Sequence, residues 1–163
     1  MRAAIITIST SLSEGRGEDE SGPALAQWAR SIGADVAATE IVVDEQPKIE
    51  WALRHYVDSG DCDLVLTTGG TGFAPSDVTP EATRAVIERE APGITEAMRA
   101  ASRPHTPNWM LSRAVAGIRG QTLIVNFPGS PKSIREAGEE VAAAIPHALA
   151  LLSGTPTAHD HGR

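Results

Sequence analysis

Two groups of residues in this sequence could do chemistry: a cluster of threonines and glycines at 67–72, and two aspartates, Asp44 and Asp77. The cluster, Thr-Thr-Gly-Gly-Thr-Gly, directly follows the short apolar run 64–66. Glycine permits positive φ and close approach to the backbone, successive amide N–H groups can bind a phosphate, and threonine hydroxyls add donors. The alternative is a tight turn from a strand to a helix that binds no ligand. The candidate binding residues of the cluster are Thr68, Gly69, Gly70, Thr71 and Gly72.

The cluster does not match the common phosphate-binding motifs. A P-loop requires Gly-Lys-Ser/Thr after four intervening residues, and no lysine lies within 67–72. The dinucleotide-binding fingerprint requires a third small residue and a continuing helix, but Pro75 stands at that position and obstructs a helix. The sequence therefore predicts a different type of loop for a phosphate or another polar ligand.

Asp44 and Asp77 each lie between a predicted strand and a predicted helix. An isolated aspartate in that position usually caps the helix or interacts with its dipole. Thr79, next to Pro80, is the better cap for the second of these helices, which leaves the Asp77 carboxylate available. Together the two carboxylates could hold Mg²⁺, because this ion prefers one or two carboxylates completed by substrate phosphates and water.

Further polar candidates lie in three other segments. Ser112-Arg113 could offer a hydroxyl and an anion-binding guanidinium, or could simply end a surface helix. The turn-rich segment 126–132 could form a pocket wall with Lys132 facing an anion, or could be a rigid connection. The candidate binding residues of these segments, with the residue that follows the first strand, are Ser9, Ser112, Asn126, Pro128, Gly129 and Ser130.

The elements that must position these residues alternate along the chain between apolar runs and helical patterns. Strands are predicted at 3–8, 36–43 and 64–66, helices begin near Ser21, Pro47 and Thr79, and 9–20 is predicted as a loop. Such alternation is typical of parallel βαβ units in a sheet covered on both faces. Ligands bind at the carboxyl ends of the strands of such sheets, so the loops that begin at Ser9, Asp44 and Thr67 should converge.

The last third of the chain departs from this alternation. The runs 114–118 and 121–125 predict an antiparallel hairpin with its turn at Arg119-Gly120. A helix is predicted from Ser133 to about Leu152, and Pro146 inside it should kink or restart it. The fold class is therefore α/β, with a mostly parallel sheet and an antiparallel hairpin near 114–125.

Length, charge and composition exclude several classes of protein. The 163 residues, 41% of them hydrophobic and 21% charged, fit one globular domain, which we place at 1–154 with a flexible tail at 155–163. The net charge of −7 argues against binding nucleic acid, and no apolar run approaches the roughly 18 residues of a membrane span. The single cysteine, Cys62, excludes an internal disulfide and predicts a reducing, cytoplasmic environment.

The segment 66–83 closely resembles the signature of the MoaB/Mog family of molybdenum cofactor biosynthesis proteins. It contains the Thr-Thr-Gly-Gly-Thr-Gly cluster and Asp77-Val78-Thr79-Pro80. The family includes the G-domains of the plant and animal cofactor-synthesis proteins. Further matching segments occur in family order and cover nearly the whole chain: 19–23, 110–113, 116–120 and 126–132.

This resemblance implies a three-layer αβα fold that forms a homotrimer or a dimer of trimers. It implies binding of molybdopterin, a pterin dithiolene whose terminal phosphate attacks the α-phosphate of Mg-ATP in active members. The products are adenylylated molybdopterin and pyrophosphate, and metal insertion follows on a separate protein or domain. The two functional aspartates of the family correspond to Asp44 and Asp77, and a serine implicated in binding corresponds to Ser112.

Two positions differ from the family pattern and motivate a second hypothesis beside the leading one. Thr10 follows Ser9 where many members have an acidic residue, and Ser76 stands where an arginine is common. The leading hypothesis is magnesium-dependent adenylyl transfer to molybdopterin. The second is a non-catalytic molybdopterin-binding or scaffold protein, and the third is a nucleotide-binding regulatory domain.

Overall fold

The computed structural model describes residues 1–155 and contains one six-stranded sheet with helices on both faces. The strand order is β2-β1-β3-β6-β5-β4, and the first four of these strands are parallel. β5 runs antiparallel to β6, and β4 runs antiparallel to β5. The strands are β1 (Arg2–Ile8), β2 (Asp35–Val42), β3 (Leu64–Thr68), β4 (Arg89–Glu90), β5 (Ala116–Arg119) and β6 (Thr122–Phe127).

Seven α-helices and one 3-10 helix complete the described part of the chain. Residues of four helices (the second, fifth, sixth and seventh) pack against one face of the sheet, and those of the third and fourth pack against the other. This arrangement confirms the predicted α/β fold with three layers. The helices are α1 (Thr10–Ser13), α2 (Ser21–Ser31), α3 (Gln46–Asp58), α4 (Thr79–Val86), α5 (Pro92–Ser102), the 3-10 helix (Trp109–Leu111), α6 (Pro131–Val141) and α7 (Ala144–Leu152).

Alternating strand residues supply the two apolar cores. Ile5 and Phe127 belong to the core under α2 and α6, whereas Ile6 and Ile124 belong to the core under α3 and α4. Successive side chains of a strand point to opposite faces, so a strand buried on both sides is apolar at nearly every position. This explains why the apolar runs of the sequence are continuous rather than alternating.

The structure corrects the prediction that 9–20 is a loop and that Ser21 caps the following helix. The short helix α1 forms within 9–20 because the Ser9 hydroxyl accepts a hydrogen bond from the Leu12 amide at 3.3 Å. At α2, the Asp19 carboxylate accepts from the Gly22 amide at 2.9 Å, so Asp19 takes the role expected of Ser21.

The C-terminal helix and the hairpin also differ in detail from their predictions. The helix is divided into α6 and α7, and Pro146 lies in the first turn of α7. Proline has no amide hydrogen and its ring clashes with the carbonyl four residues earlier, so the helix restarts before it. The hairpin is confirmed, and Gly120 at φ 57° begins its turn, one residue later than predicted.

Residues 156–163, most of the predicted tail, lie outside the described residues. None of the helices in residues 1–155 combines the length and apolar character needed to cross a membrane.

Candidate functional site

Four parallel strands end at the same edge of the sheet, and the candidate residues follow those ends. Ile8 of β1 pairs with Val42 of β2, and Thr68 of β3 pairs with Phe127 of β6. β1 and β3 are also neighbours in the sheet. The residues that come next along the four strands therefore lie together at this edge, which we call the strand-end cleft, and the predicted ones among them are Ser9, Asp44, Gly69, Gly70, Pro128 and Gly129.

The glycine turn, residues 69–72, has a backbone conformation that only glycine adopts easily. Gly69 has φ 97° and Gly70 has φ 65°. A Cβ atom at Gly69 would lie 2.5 Å from the Ile8 carbonyl oxygen, and one at Gly70 would lie 2.4 Å from the Thr79 hydroxyl. The glycines therefore allow the turn to lie directly against the end of β1 and the start of α4.

Thr79 fixes this turn instead of capping α4 as predicted. The residue at the cap position is Val78, and it makes no side-chain capping bond. The Thr79 hydroxyl donates to the Gly69 carbonyl at 3.0 Å, and its amide donates to the Gly70 carbonyl at 3.1 Å. In residues 1–155, the amide N–H groups of Gly70, Thr71 and Gly72 have no hydrogen-bond partner. The turn thus presents free donors that a phosphate could accept from.

Asp44 lies beside the turn with one carboxylate oxygen held and the other free. Its Oδ2 accepts from the Thr10 amide at 2.7 Å and from the Thr10 hydroxyl at 2.9 Å. Its Oδ1 accepts no hydrogen bond within the described chain and would lie 3.3 Å from a Cβ atom at Gly70. The carboxylate is half-buried.

Asp77 lies at the other end of the turn. A Cβ atom at Gly72 would lie 2.9 Å from its Oδ2, and the same oxygen accepts from the Ala74 amide at 2.9 Å. The Asp77 amide in return donates to the Ala74 carbonyl at 2.9 Å. The two aspartates, 33 positions apart in the sequence, therefore both contact the space at the glycine turn.

Arg113 holds the loop that carries Asp77. Its amide donates to the Thr71 carbonyl at 2.8 Å, its Nε donates to the Gly72 carbonyl at 2.7 Å, and a terminal nitrogen donates to the Asp77 carbonyl at 2.6 Å. The guanidinium also forms an ion pair with the Glu81 carboxylate. The hydrogen bonds between Arg113 and Glu81 lower the pKa of Glu81 against the opposing effect of partial burial, and they raise the pKa of Arg113. The Arg113 guanidinium is therefore used within the protein rather than left free for an anion, and Ser112 is the residue at which the 3-10 helix Trp109–Leu111 ends.

Ser112 and Pro128 line a cavity of about 140 Å³ beside the cleft. This volume is below the roughly 300 Å³ at which ligand pockets begin, so it can accept only part of a cofactor-sized molecule. Helices α5 and α6 supply further polar walls, and so does the segment between α5 and β5, for which the sequence predicted no structure. These walls are Arg99, Ser102, Ser133, Thr106, Asn108 and Trp109.

Asn126 lies beneath the cleft. Its side chain is fully buried, its oxygen accepts from the Val115 amide at 3.0 Å, and its nitrogen donates to the hydroxyls of Thr67 at 3.0 Å and Thr83 at 2.9 Å. Both amide hydrogens are thereby used. These bonds join β6 to β3 and α4, so the geometry favours a role in holding the loops that follow these strands.

The remaining predicted residues lie at the rim and inside the loops. The Thr68 hydroxyl donates to the Pro128 carbonyl at 2.7 Å, and a Cβ atom at Gly129 would lie 3.4 Å from the Gly69 Cα, so the two loops lie in contact. Ser130 caps α6 by accepting from the Ser133 amide at 3.2 Å. Lys132 is 70% exposed, and its amine lies 3.8 Å from Glu136.

Two contacts at the site were not predicted from the sequence: Thr10 with Asp44, and Arg113 with the glycine turn. Neither has a local signal, because 34 and 41 positions separate the partners. In the sequence, the threonine at position 10 stands out only as a difference from the family pattern.

A larger groove of about 560 Å³ lies elsewhere, along the face of β1 and β2 beside α2. Its polar walls come from Thr7, Asp19, Arg30, Thr39 and Glu40. It lies on the sheet face rather than at the carboxyl ends of the strands, and none of the predicted site residues lines it. We therefore assign the candidate site to the strand-end cleft.

Comparisons with known proteins agree with this fold. Residues 4–147 match the family model described as "Probable molybdopterin binding domain". The chain is 43% identical over 168 residues to the molybdopterin adenylyltransferase of Escherichia coli K12 and 40% identical to that of Haemophilus influenzae. These matches cover 94% of this chain, and 86% and 85% of the two relatives. The solved structure of the molybdopterin biosynthesis enzyme MoaB from Thermus thermophilus superimposes with a TM-score of 0.88 at 47% identity, covering 95% of this chain and 98% of that one.

Proposed function

The chain belongs to the probable molybdopterin binding domain family, and we propose that it is a molybdopterin adenylyltransferase acting in molybdenum cofactor biosynthesis. It transfers AMP from ATP to the terminal phosphate of molybdopterin and releases pyrophosphate. The observation that supports this most strongly is the position of Asp44 and Asp77 on either side of a glycine turn whose amides are free. Relatives of about 40% identity over most of the chain carry this activity in their names.

The reaction requires positioning more than acid–base chemistry. A phosphate oxygen of molybdopterin forms a bond to the α-phosphorus of ATP, and the bond from that phosphorus to the bridging oxygen breaks. Pyrophosphate takes the electron pair of the broken bond. The nucleophile is already ionised near neutral pH, so the protein needs no strong general base. Its task is to align two anions and to reduce their repulsion.

Asp44 and Asp77 are the residues that would hold Mg²⁺, and both would act as catalytic residues. Carboxylate oxygens are the donors this ion prefers, and Oδ1 of Asp44 is free to serve. No group of three or more His, Cys, Asp or Glu side chains in residues 1–155 could hold a metal by itself, which fits an ion that is completed by substrate phosphates and water. When bound, Mg²⁺ neutralises phosphate charge and stabilises the leaving pyrophosphate.

The glycine turn and the neighbouring loops would bind the two substrates. The free amides of Gly70, Thr71 and Gly72 are suited to orient a phosphate, and Thr79 keeps the turn in place. Ser112 and the Pro128–Ser130 loop would bind molybdopterin at the adjoining cavity. Ser9 and Thr68 support the loops from which these groups project.

Release of pyrophosphate tests the proposal directly. Purified protein given Mg-ATP should release pyrophosphate only when molybdopterin is present, and Asp77→Asn should retain molybdopterin binding while losing most turnover. Asp58→Asn, which removes a carboxylate paired with Arg119 away from the cleft, should leave turnover unchanged. Molybdopterin binding without pyrophosphate release would instead identify a scaffold protein. Tight ATP binding that is indifferent to molybdopterin would identify a nucleotide-binding regulatory domain.

We also propose the setting in which this enzyme works. The single cysteine, Cys62, is buried, and its pKa is raised mainly by burial, which fits a thiol in the reducing cytoplasm. A homotrimer or a dimer of trimers is the expected assembly. The adenylylated product is expected to pass to a separate molybdenum-insertion protein.

A further inference from the structure

Thr10 contacts Asp44 through three hydrogen bonds. The Thr10 amide donates to Oδ2 at 2.7 Å and the Thr10 hydroxyl donates to the same oxygen at 2.9 Å. The hydroxyl also accepts from the Asp44 amide at 3.2 Å. Because the hydroxyl accepts from one side and donates to the other, both its proton and the carboxylate are fixed in direction.

This contact gives the two oxygens of Asp44 different roles. Oδ2 receives both donors from Thr10, whereas Oδ1 receives none within residues 1–155 and faces the glycine turn at Gly70. A carboxylate held through only one oxygen keeps its second oxygen at a defined place. The arrangement pre-organises that oxygen before any ligand arrives.

The Thr10 hydroxyl is not needed to hold α1 together. The helix is capped by Ser9, whose hydroxyl accepts from the Leu12 amide, and its end is closed by the Ser13 hydroxyl donating to the Thr10 carbonyl at 2.8 Å. Neither bond involves the Thr10 side chain. Within the described chain, the Thr10 hydroxyl makes its bonds to Asp44 alone.

We propose that Thr10 is a positioning residue for the adenylyl transfer, in which its hydroxyl fixes the Asp44 carboxylate so that one oxygen stays directed at the glycine turn. This inference rests on the proposed function of the cleft. It assigns a role to a side chain that does not itself reach the reacting atoms. It also explains how a neutral residue at position 10 supports a site built on carboxylates: it donates to Asp44, which a second carboxylate could not do.

The test compares three variants by two measurements. Thr10→Val keeps a branched side chain and the backbone amide but loses the hydroxyl, Thr10→Ser restores the hydroxyl, and Ser13→Ala removes a different hydroxyl of the same helix. The first measurement is the Mg²⁺ concentration that gives half-maximal pyrophosphate release. The second is binding of Mn²⁺ in the presence of a non-hydrolysable ATP analogue, followed by electron paramagnetic resonance, which needs no turnover.

Thr10→Val should raise the half-maximal Mg²⁺ concentration and weaken Mn²⁺ binding by about tenfold, the size expected for losing one hydrogen bond to a charged group. Thr10→Ser should return both values to within about threefold of the wild type. Ser13→Ala should leave both unchanged, and molybdopterin binding should be unchanged in every variant.

Three outcomes would overturn the inference. If Thr10→Val matches the wild type in both measurements, Thr10 does not position Asp44. If Ser13→Ala weakens Mn²⁺ binding as much as Thr10→Val, the effect comes from α1 as a whole. If the wild type neither releases pyrophosphate nor binds Mn²⁺ with the analogue, the proposed function fails first and the inference fails with it, a result that the wild type alone reveals.

Discussion

At the scale of single residues, the cleft depends on a glycine without a side chain as much as on its polar side chains. Gly70 lies between the Thr79 hydroxyl and the free oxygen of Asp44, and the hydroxyl leaves no room for a Cβ atom, which would lie 2.4 Å from it. Arg113 uses most of its guanidinium N–H groups on carbonyl groups and on Glu81, so a cationic residue at the cleft serves as a support. Residue type alone therefore does not reveal function at this site.

Gly70→Ala should reduce both stability and turnover. The left-handed conformation costs alanine about 1–2 kcal/mol, and the contact with the Thr79 hydroxyl adds to this and displaces the turn from Asp44. Gly60→Ala is the matched control, because Gly60 has φ 74° with no atom within 4 Å of the added Cβ. Urea denaturation should show a loss in both variants that is larger for Gly70→Ala, and only Gly70→Ala should lose pyrophosphate release. Equal losses of stability and unchanged turnover would contradict this account of the turn.

Glu81→Gln should reduce the dependence of stability on acid pH. The pKa of Glu81 is lowered from 4.5 by hydrogen bonds from Arg113, so the ion pair stabilises the fold above that pH and this contribution is lost as the pH falls through the folded value. The effect should be modest because the Glu81 side chain is 39% exposed. The free energy of unfolding can be measured by urea denaturation near neutrality and at a pH of about 4. The difference between these two values should be smaller in the variant than in the wild type.

Asp58→Asn provides the comparison for this variant. The pKa of Asp58 is lowered by its hydrogen bond with Arg119, and the pair lies away from the cleft. Both substitutions should therefore make the free energy of unfolding less dependent on pH in acid. Only Glu81→Gln should slow turnover, since it removes the ion pair that orients Arg113 towards the Asp77 loop. Equal turnover in the two variants would show that Arg113 holds the loop without Glu81.

At the scale of elements, helices are fixed to the sheet and to each other by a few close contacts. Gly138 of α6 lies against the indole of Trp28 in α2, and a Cβ atom there would lie 2.4 Å from Nε1. The Trp28 ring in turn contacts Phe127 of β6, with 4.8 Å between ring centroids. Tyr56 of α3 is joined to Glu40 of β2 by a hydrogen bond of 3.0 Å.

Gly138→Ala should lower the free energy of unfolding by roughly 1–3 kcal/mol, the usual cost of overpacking. Replacing a glycine within a helix by alanine normally stabilises the fold by about 0.5–1 kcal/mol, and this gain offsets part of the overpacking cost. Gly93 lies on α5 with no atom within 4 Å of an added Cβ, so Gly93→Ala should raise the free energy of unfolding without an overpacking cost. Trp28→Phe combined with Gly138→Ala should recover part of the loss in a double-mutant cycle, and strictly additive effects would contradict direct contact.

Tyr56 should titrate unusually late, and as the only tyrosine it can be followed by phenolate absorbance. Burial and the neighbouring Glu40 carboxylate raise its pKa from 10.0 to about 12. The neutral phenol therefore stabilises the attachment of α3 below pH 10, and this contribution is lost as the pH rises through about 12. Glu40→Gln should move the midpoint down, whereas Glu139→Gln, on the exposed face of α6, should not. A wild-type midpoint near 10 would mean that the phenol is not held in this contact.

Most strands and helices were predictable from local sequence patterns, whereas the site was predictable only in part. Short apolar runs predicted β1 and β3, a run interrupted by Thr39 and Glu40 predicted β2, and helical spacing with proline near the start predicted α2 and α3, because these signals lie within a few residues. α5 and β4 were missed. That Asp44 and Asp77 approach one turn was expected from strand-end convergence, but the contacts of Thr10 and Arg113 join distant segments and have no local pattern.

At the scale of the whole molecule, the two edges of the sheet differ. One edge is β4, which has two residues, whereas the other is β2, which has eight and, within residues 1–155, pairs only with β1. Ile41 of β2 is 42% exposed, and Trp51 of the adjacent α3 is 62% exposed. A long edge strand with exposed apolar side chains invites pairing with another chain unless something covers it. The β2 edge is therefore where we expect the proposed trimer to form.

Sedimentation tests the assembly and its location together. At micromolar concentration the wild type should sediment with three times the chain mass of 17.1 kDa, or a multiple of that trimer. Ile41→Lys places a charge on the edge strand and should shift the protein to the monomer, because burying an unpaired ammonium in an interface is costly. Leu151→Lys, at a 59% exposed position on α7, is the matched control and should leave the mass unchanged. A monomeric wild type would contradict the trimer, and a trimeric Ile41→Lys variant would place the contact elsewhere. Since β2 ends immediately before the segment that carries Asp44, an interface at this edge would also place the neighbouring chain beside the cleft.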